Sequence, residues 1–175
     1  MARARKFVAY RFLERAYTRF SKYGAKSYIR ARPVCRVVRF DMGTENKTFT
    51  HRMTLVAKTT LQIRDLALES ARQTSNRVLE KNLPKTEYRY KMMVYPHHVL
   101  RENPLASGAG ADRLSTGMAH NYGKPIGVAA QVKEGKAVFR LDINENNLEL
   151  GRKALHRAAL KLPCTFSVQV EKMAK

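Results

Sequence analysis

Beyond Pro33 the chain alternates apolar and polar positions in short runs, and twice this pattern gives way to a helical repeat. Val34 to Phe40 is a β-rich run closed by the turn signal Asp41-Met42-Gly43, and predicts a first strand. His51 to Lys58 predicts a second, with Met53, Leu55 and Ala57 alternating against Arg52, Thr54 and Lys58. Thr59 and Gln62 then form a capping-box pattern, a hydroxyl N-cap with a Gln three positions on. A helix is expected from about Thr60 to Asn82, with Ile63, Ala67, Ala71, Val78 and Leu79 as its apolar stripe and Pro84 beyond its end. Tyr88 to Tyr95 alternates as another strand. Between Pro96 and about Pro125 no regular period survives. This long interval holds Gly108, Gly110, Gly117 and Gly123, and a loop of such length in a compact domain is usually functional or disordered until bound. Gly127 to Val132 and Ala137 to Asp142 read as a hairpin around Lys133-Glu134-Gly135-Lys136. A second amphipathic helix follows the cap at Asn144 to Asn147, with Leu148, Leu155, Ala158, Ala159 and Leu162 on its stripe and Pro163 at its end. Thr165 to Val170 is the last strand. Strands outnumber helices, so the fold class is α+β, two helices on a mostly antiparallel or mixed sheet.

Charge changes the picture at the N-terminal end. Lys and Arg number 34 against 14 Asp and Glu, a formal net charge of +20. Such an imbalance repels itself and is relieved by a polyanion. Nucleic acid is the favoured one, because counterion release from many phosphates drives binding. A membrane surface would call for a basic amphipathic helix with Trp or Phe opposite, and the chain has no Trp. No apolar run approaches the roughly 18 residues of a membrane span, and no signal-peptide pattern follows Met1, so a cytoplasmic protein is expected. The positive charge is concentrated in Arg3, Arg5, Lys6, Arg11, Arg15, Arg19, Lys22, Lys26, Arg30, Arg32, Arg36 and Arg39, against Glu14 alone. Phe7, Tyr10, Phe12, Tyr17, Phe20, Tyr23 and Tyr28 are threaded among them. Cations for phosphates and rings for bases suit an arm that orders on RNA. The chain is therefore divided into a basic aromatic arm at 1–33 and a single α+β domain at 34–175.

Catalytic patterns are wanting. The stretch Gly108-Ala109-Gly110-Ala111-Asp112-Arg113 lacks the third glycine of a dinucleotide fingerprint, and Gly123-Lys124-Pro125 has Pro where a phosphate-binding loop needs Ser or Thr. Adjacent His97 and His98 project differently and read as surface residues, and no carboxylate stands at a spacing that would make them acid–base catalysts. Cys35 and Cys164 lack metal-ligand spacing and read as reduced, small apolar side chains. No cofactor, metal or small-molecule substrate is expected. The Gly-rich interval, punctuated by Arg101, Arg113 and Lys124, reads instead as a flexible finger whose backbone can approach RNA closely. An RNA chaperone or processing enzyme would need a catalytic constellation. An architectural DNA-binding protein would fit the charge but leave that finger unexplained.

The run from Gly108 to Met118, with Leu114-Ser115-Thr116-Gly117 within it, is followed by Tyr122-Gly123-Lys124-Pro125-Ile126-Gly127. Together they resemble the universal L-sixteen family of large-subunit ribosomal proteins, in its archaeal and eukaryotic L-ten-e form. Val94 to Arg101 is similar to the family's strand leading into the loop, Leu66 to Glu80 to its first helix, and Ala154 to Pro163 to its second. The likeness runs from about Val34 to Val170, and its wording looks archaeal. It implies an α/β-hammerhead-type core, contact with large-subunit ribosomal RNA, proximity to 5S ribosomal RNA, and neighbouring ribosomal proteins. It also implies a late-joining protein whose 101–122 loop is directed toward the peptidyl transferase centre and tRNA acceptor arms. The loop residues so assigned are Arg101, Ser107, Gly108, Gly110, Asp112, Arg113, Ser115, Gly117, Met118 and Lys124. The arm residues expected on ribosomal RNA, from charge and aromatic content, are Arg3, Arg5, Lys6, Tyr10, Arg11, Arg15, Arg19, Lys22, Tyr23, Lys26, Arg30 and Arg32.

Overall fold

A computed structural model describes residues 5–13, 15, 18–29, 31–103, 108, 110 and 123–173. Its strands are β1 (Asp41–Gly43), β2 (His51–Ala57), β3 (Leu61–Arg64), β4 (Tyr88–Met92), β5 (His98–Glu102), β6 (Lys124–Val132), β7 (Ala137–Ile143) and β8 (Phe166–Lys172). Among the described residues there are two α-helices, α1 (Asp65–Asn82) and α2 (Leu148–Ala159). Five strands form one sheet in the order β1-β4-β7-β2-β8, and three form a second in the order β3-β6-β5. Each recorded pairing is antiparallel, which meets the expected α+β class in its antiparallel form.

One core joins both sheets and both helices. Alternation in β2 and β7 buries Met53, Leu55, Phe139, Leu141 and Ile143, and β4 adds Tyr88, Tyr90 and Met92. The smaller sheet contributes Leu61, Ile63, Ala130 and Val132 to the same cluster, and the helices close it with Leu68, Ala71, Leu79, Ala154, Leu155 and Ala158. Tyr90 stacks on Phe139 with ring centroids 5.2 Å apart, and its hydroxyl lies 2.7 Å from that of Ser75. Complete burial pushes the Tyr90 phenol well above its ordinary pKa. Tyr88, whose hydroxyl donates to Asn76 Oδ1 at 3.2 Å, is pushed up to about 12, also by burial.

Several expected elements move. Residues 34–40 do not form a strand; β1 is the Asp41–Gly43 segment itself, paired with β4. The backbone before it is held by helix α1 instead. Arg36 N–H donates to Asp65 Oδ2 at 3.1 Å and Val38 N–H to Glu69 Oε2 at 3.4 Å, while Val37 is buried in the core. Of the expected capping box and first helical turn, Leu61–Arg64 form β3, paired with β6, and α1 starts at Asp65. Gln62 does not cap the helix, because its amide reaches the N-terminal segment. The interval after Pro96 contains β5, β6 begins earlier than its apolar pattern suggests, and β6 and β7 do not form the expected hairpin but belong to different sheets. Both cysteines are free and exposed, so neither serves as a buried apolar side chain.

Candidate nucleic-acid interface

The N-terminal segment lies along the smaller sheet. Phe7 packs on the main core, and Ile29 forms a small apolar cluster with Val99 of β5 and Val128 of β6. Gln62 Nε2 donates to the Tyr10 carbonyl at 3.3 Å and also to that of Phe12. A buried glutamine on β3 thus satisfies two carbonyls that an irregular segment could not pair by itself. The Arg101 guanidinium donates to the Tyr28 carbonyl at 2.7 Å.

Glu102, at the end of β5, is the centre of this docking. The Arg5 guanidinium forms an ion pair with it through Nε and a terminal nitrogen, and the Tyr10 hydroxyl donates to its other oxygen at 3.0 Å. Arg5 holds the Glu102 carboxyl below its ordinary pKa, chiefly by hydrogen bonding. Partial burial, followed by the bond to Glu102, raises the Tyr10 phenol. The Arg64 guanidinium lies 5.8 Å from the Tyr10 ring centroid. Arg5 and Tyr10, both expected on RNA, are therefore engaged within the chain, and Glu102, Gln62 and Arg64 are the partners that sequence reasoning missed. Glu102 carried one signal, that of an acid beside Arg101 in a strongly basic protein.

The remaining arm cations face outward. Lys6, Arg11, Arg15, Arg19, Lys22 and Lys26 are exposed, and none forms an ion pair among the described residues. Rings stand beside them: Arg11 lies 4.7 Å from the Phe12 centroid, and Lys22 and Lys26 lie 5.4 and 5.7 Å from that of Tyr23. Phe12, Phe20, Tyr23 and Tyr28 are all at least half exposed. Arg32 turns back to donate to His97 Nδ1 at 3.3 Å and to the Pro96 carbonyl at 3.5 Å. Arg3 and Arg30 lie outside the described residues.

The Gly-rich loop issues from the same sheet. Strands β5 and β6 pair at Arg101↔Pro125 and Glu102↔Lys124, with a register shift between Leu100 and Arg101, so the two ends of the loop leave side by side. Gly123 closes this stem at φ +78°. A Cβ there would lie 2.6 Å from the Glu102 carbonyl carbon and 2.9 Å from Asn103 N. Gly123→Ala is accordingly expected to loosen the stem, at a cost on the order of 1–3 kcal/mol, and hydrogen exchange at the β5 and β6 amides should show it. Of the residues assigned to the loop, Lys124 is exposed in β6, and Gly108 and Gly110 are exposed at φ +122° and +79°. Ser107, Asp112, Arg113, Ser115, Gly117 and Met118 lie outside the described residues.

A second basic surface went unnoticed in the sequence. Arg152, Lys153, His156 and Arg157 occupy the exposed side of α2, and Lys161 lies just beyond it. Among the described residues, no group of three or more His, Cys, Asp or Glu side chains could hold a metal ion. No described helix is long and apolar enough to cross a membrane.

These features define an α+β protein whose exposed cations and rings suit a polyanionic, base-bearing partner. The family model described as "Ribosomal protein L16p/L10e" matches residues 14–169, and the chain belongs to that family. It is similar to the large ribosomal subunit protein uL16 of Methanocella arvoryzae, at 46% identity over 92% of this chain and 95% of the relative. The proteins of the same name from Archaeoglobus fulgidus and Methanococcus maripaludis (strain S2 / LL) are 42% and 40% identical. They match over 93% of this chain and 90% and 91% of their own lengths.

Proposed function

We propose that the protein is a structural constituent of the large ribosomal subunit in the cytoplasm, supporting translation and late subunit assembly without supplying a catalytic group. Residues 1–33 act as an arm on large-subunit ribosomal RNA, and residues 34–175 form the domain that carries the 101–122 loop. The protein lies near 5S ribosomal RNA and the aminoacyl-tRNA site, among neighbouring ribosomal proteins, and directs the loop toward the peptidyl transferase centre and tRNA acceptor arms. Family membership supports the ribosomal role. The observation that carries the division of labour is the docking of a cation-rich segment beside the loop's stem, through Arg5, Tyr10 and Glu102. Outward-facing cations supply grip on phosphates, while the stem fixes where the loop departs.

The native protein is expected to co-sediment with large subunits in moderate salt; recovery only in free or small-complex fractions would overturn the proposal. Deleting residues 108–117 should leave folding and subunit joining near normal and impair tRNA handling, measured as aminoacyl-tRNA binding to reconstituted subunits. Unfolding on deletion would show instead that the loop belongs to the core.

A further inference from the structure

Three rings stack into a short ladder at the edge of the N-terminal segment. Phe40 and Tyr95 have centroids 4.6 Å apart and planes 26° apart, and Tyr95 and His97 follow at 5.8 Å and 20°. Phe40 is half-buried and packs against the core, whereas Tyr95 and His97 are exposed. The ladder therefore runs from the core outward. Its outer ring, His97, lines a cleft of about 660 Å³ whose other described lining residues are Thr18, Phe20, Ile29 and Arg32.

The chemistry of this cleft is specific. Phe20 is 73% exposed, a large apolar ring left in water at the rim of a cavity. Buried Ile29 supplies an apolar wall. Arg32 Nη2 lies 3.3 Å from His97 Nδ1, and a guanidinium can only donate. The guanidinium is thereby held beside the ring as a planar cation, suited to a phosphate or to the edge of a base. The volume falls within the usual range for small-ligand clefts, roughly 300–1,000 Å³.

We propose that this cleft receives a single unpaired RNA base, stacked on His97 as the next step of the Phe40–Tyr95–His97 ladder, with Phe20 against it and Arg32 on its edge or adjoining phosphate. The proposal rests on the RNA-binding function proposed above and gives it a discrete base site. Exposed rings beside cations favour a nucleotide over a purely apolar guest, and a net charge of +20 brings the polyanion to the site. Stacking tolerates any base, so the site selects for an unpaired nucleotide more than for sequence.

The test uses the full chain and a single-stranded RNA of about ten nucleotides, within the usual span of such sites, carrying one central 2-aminopurine. Binding should quench the 2-aminopurine fluorescence. His97→Ala and Phe20→Ala should each remove most of the quench and weaken binding by about tenfold, the scale of one lost base stack. The slope of log affinity against log salt should stay at its wild-type value, because no phosphate contact is lost. Both side chains are exposed, so neither change should unfold the protein, and circular dichroism checks this. Wild-type quench and affinity in both variants would overturn the base site. So would an absence of quench with the wild-type chain. If neutralising the arm cations abolishes RNA binding while His97→Ala has no effect, RNA binding stands and the base site alone falls. If the quench behaves as expected but the protein fails to co-sediment with large subunits, the base site stands and the ribosomal assignment falls.

Discussion

Replacing Arg11, Arg15, Arg19, Lys22 and Lys26 together with glutamine is expected to remove most of the salt dependence of RNA binding while leaving the fold intact. All five side chains are exposed and none is ion-paired among the described residues, so no carboxylate is orphaned; only the exposed ring contacts at Phe12 and Tyr23 are lost. Self-repulsion in a chain of net charge +20 should fall. Each phosphate contact contributes about 0.7–0.9 to the slope of log affinity against log salt, so five losses lower it by about 4. Between 50 and 200 mM salt the wild-type protein should therefore lose about two orders of magnitude more affinity than the variant. Anisotropy titrations on a large-subunit ribosomal RNA fragment at several salt concentrations measure this. An unchanged slope would show that the arm cations do not meet phosphates. Arg5→Gln should behave differently. Arg5 is already committed to Glu102, so its loss should loosen the arm from the β5–β6 stem more than it lowers the slope.

That contrast between Arg5 and its neighbours shows where sequence reasoning ends. Composition marks residues 3–39 as a basic aromatic segment, but charge alone does not tell a phosphate contact from an internal ion pair. The distinction depends on Glu102, nearly a hundred residues away, which reaches Arg5 only once β5 pairs with β6. The alternation in β2, β4 and β7 was legible because one face of each meets a single core. The helices were legible from their apolar stripes, though α1 was expected to start too early. Gln62 looked like a capping residue by spacing, yet the β3–β6 pairing made its segment a strand and turned its amide to the arm. Asp41-Met42-Gly43 looked like a turn for its residue types. It is a strand in which Gly43 stands at φ +87° against the Tyr88 carbonyl, where a Cβ would collide. The π-ladder at Tyr95 and His97 and the basic side of α2 arise from tertiary placement, and no local pattern announces them.

The largest loss of stability is expected from Arg72→Ala. Residues 34–40 look like a strand in sequence because they are β-branched and apolar, but their donors are met by the carboxylates of α1, and Arg72 is what keeps Glu69 charged there. Arg72 and Glu69 are both buried, at 8% and 9% exposure. Nε donates to Glu69 Oε2 at 2.9 Å and a terminal nitrogen to Oε1 at 2.5 Å, while the other terminal nitrogen lies 3.3 Å from Met42 Sδ in β1. The Arg72 hydrogen bond is the leading cause of the lowered Glu69 pKa, against burial, which raises it. Removing the arginine leaves a buried carboxylate with only Gln73 and the Val38 N–H as partners. Breaking a buried pair in this way costs about 3–5 kcal/mol, or roughly 6–20 °C in Tm for a chain of this size. The double change Glu69→Gln with Arg72→Met should cost less, since it orphans no charge. The pH dependence follows from the sign of the shift. In the wild-type protein the pair's stabilisation is complete above the ordinary Glu value of 4.5, and it is lost as pH falls through the lower folded value. In Arg72→Ala, burial acts on Glu69 without its main opponent, so protonating Glu69 relieves the buried charge and the stability deficit against the wild-type protein should shrink as pH falls. Urea titrations of the single and double variants between pH 3 and 7 measure both effects. Equal stabilities, or a deficit that does not shrink in acid, would mean that residues 36–42 are held by Val37 and the core and not by the Glu69–Arg72 pair.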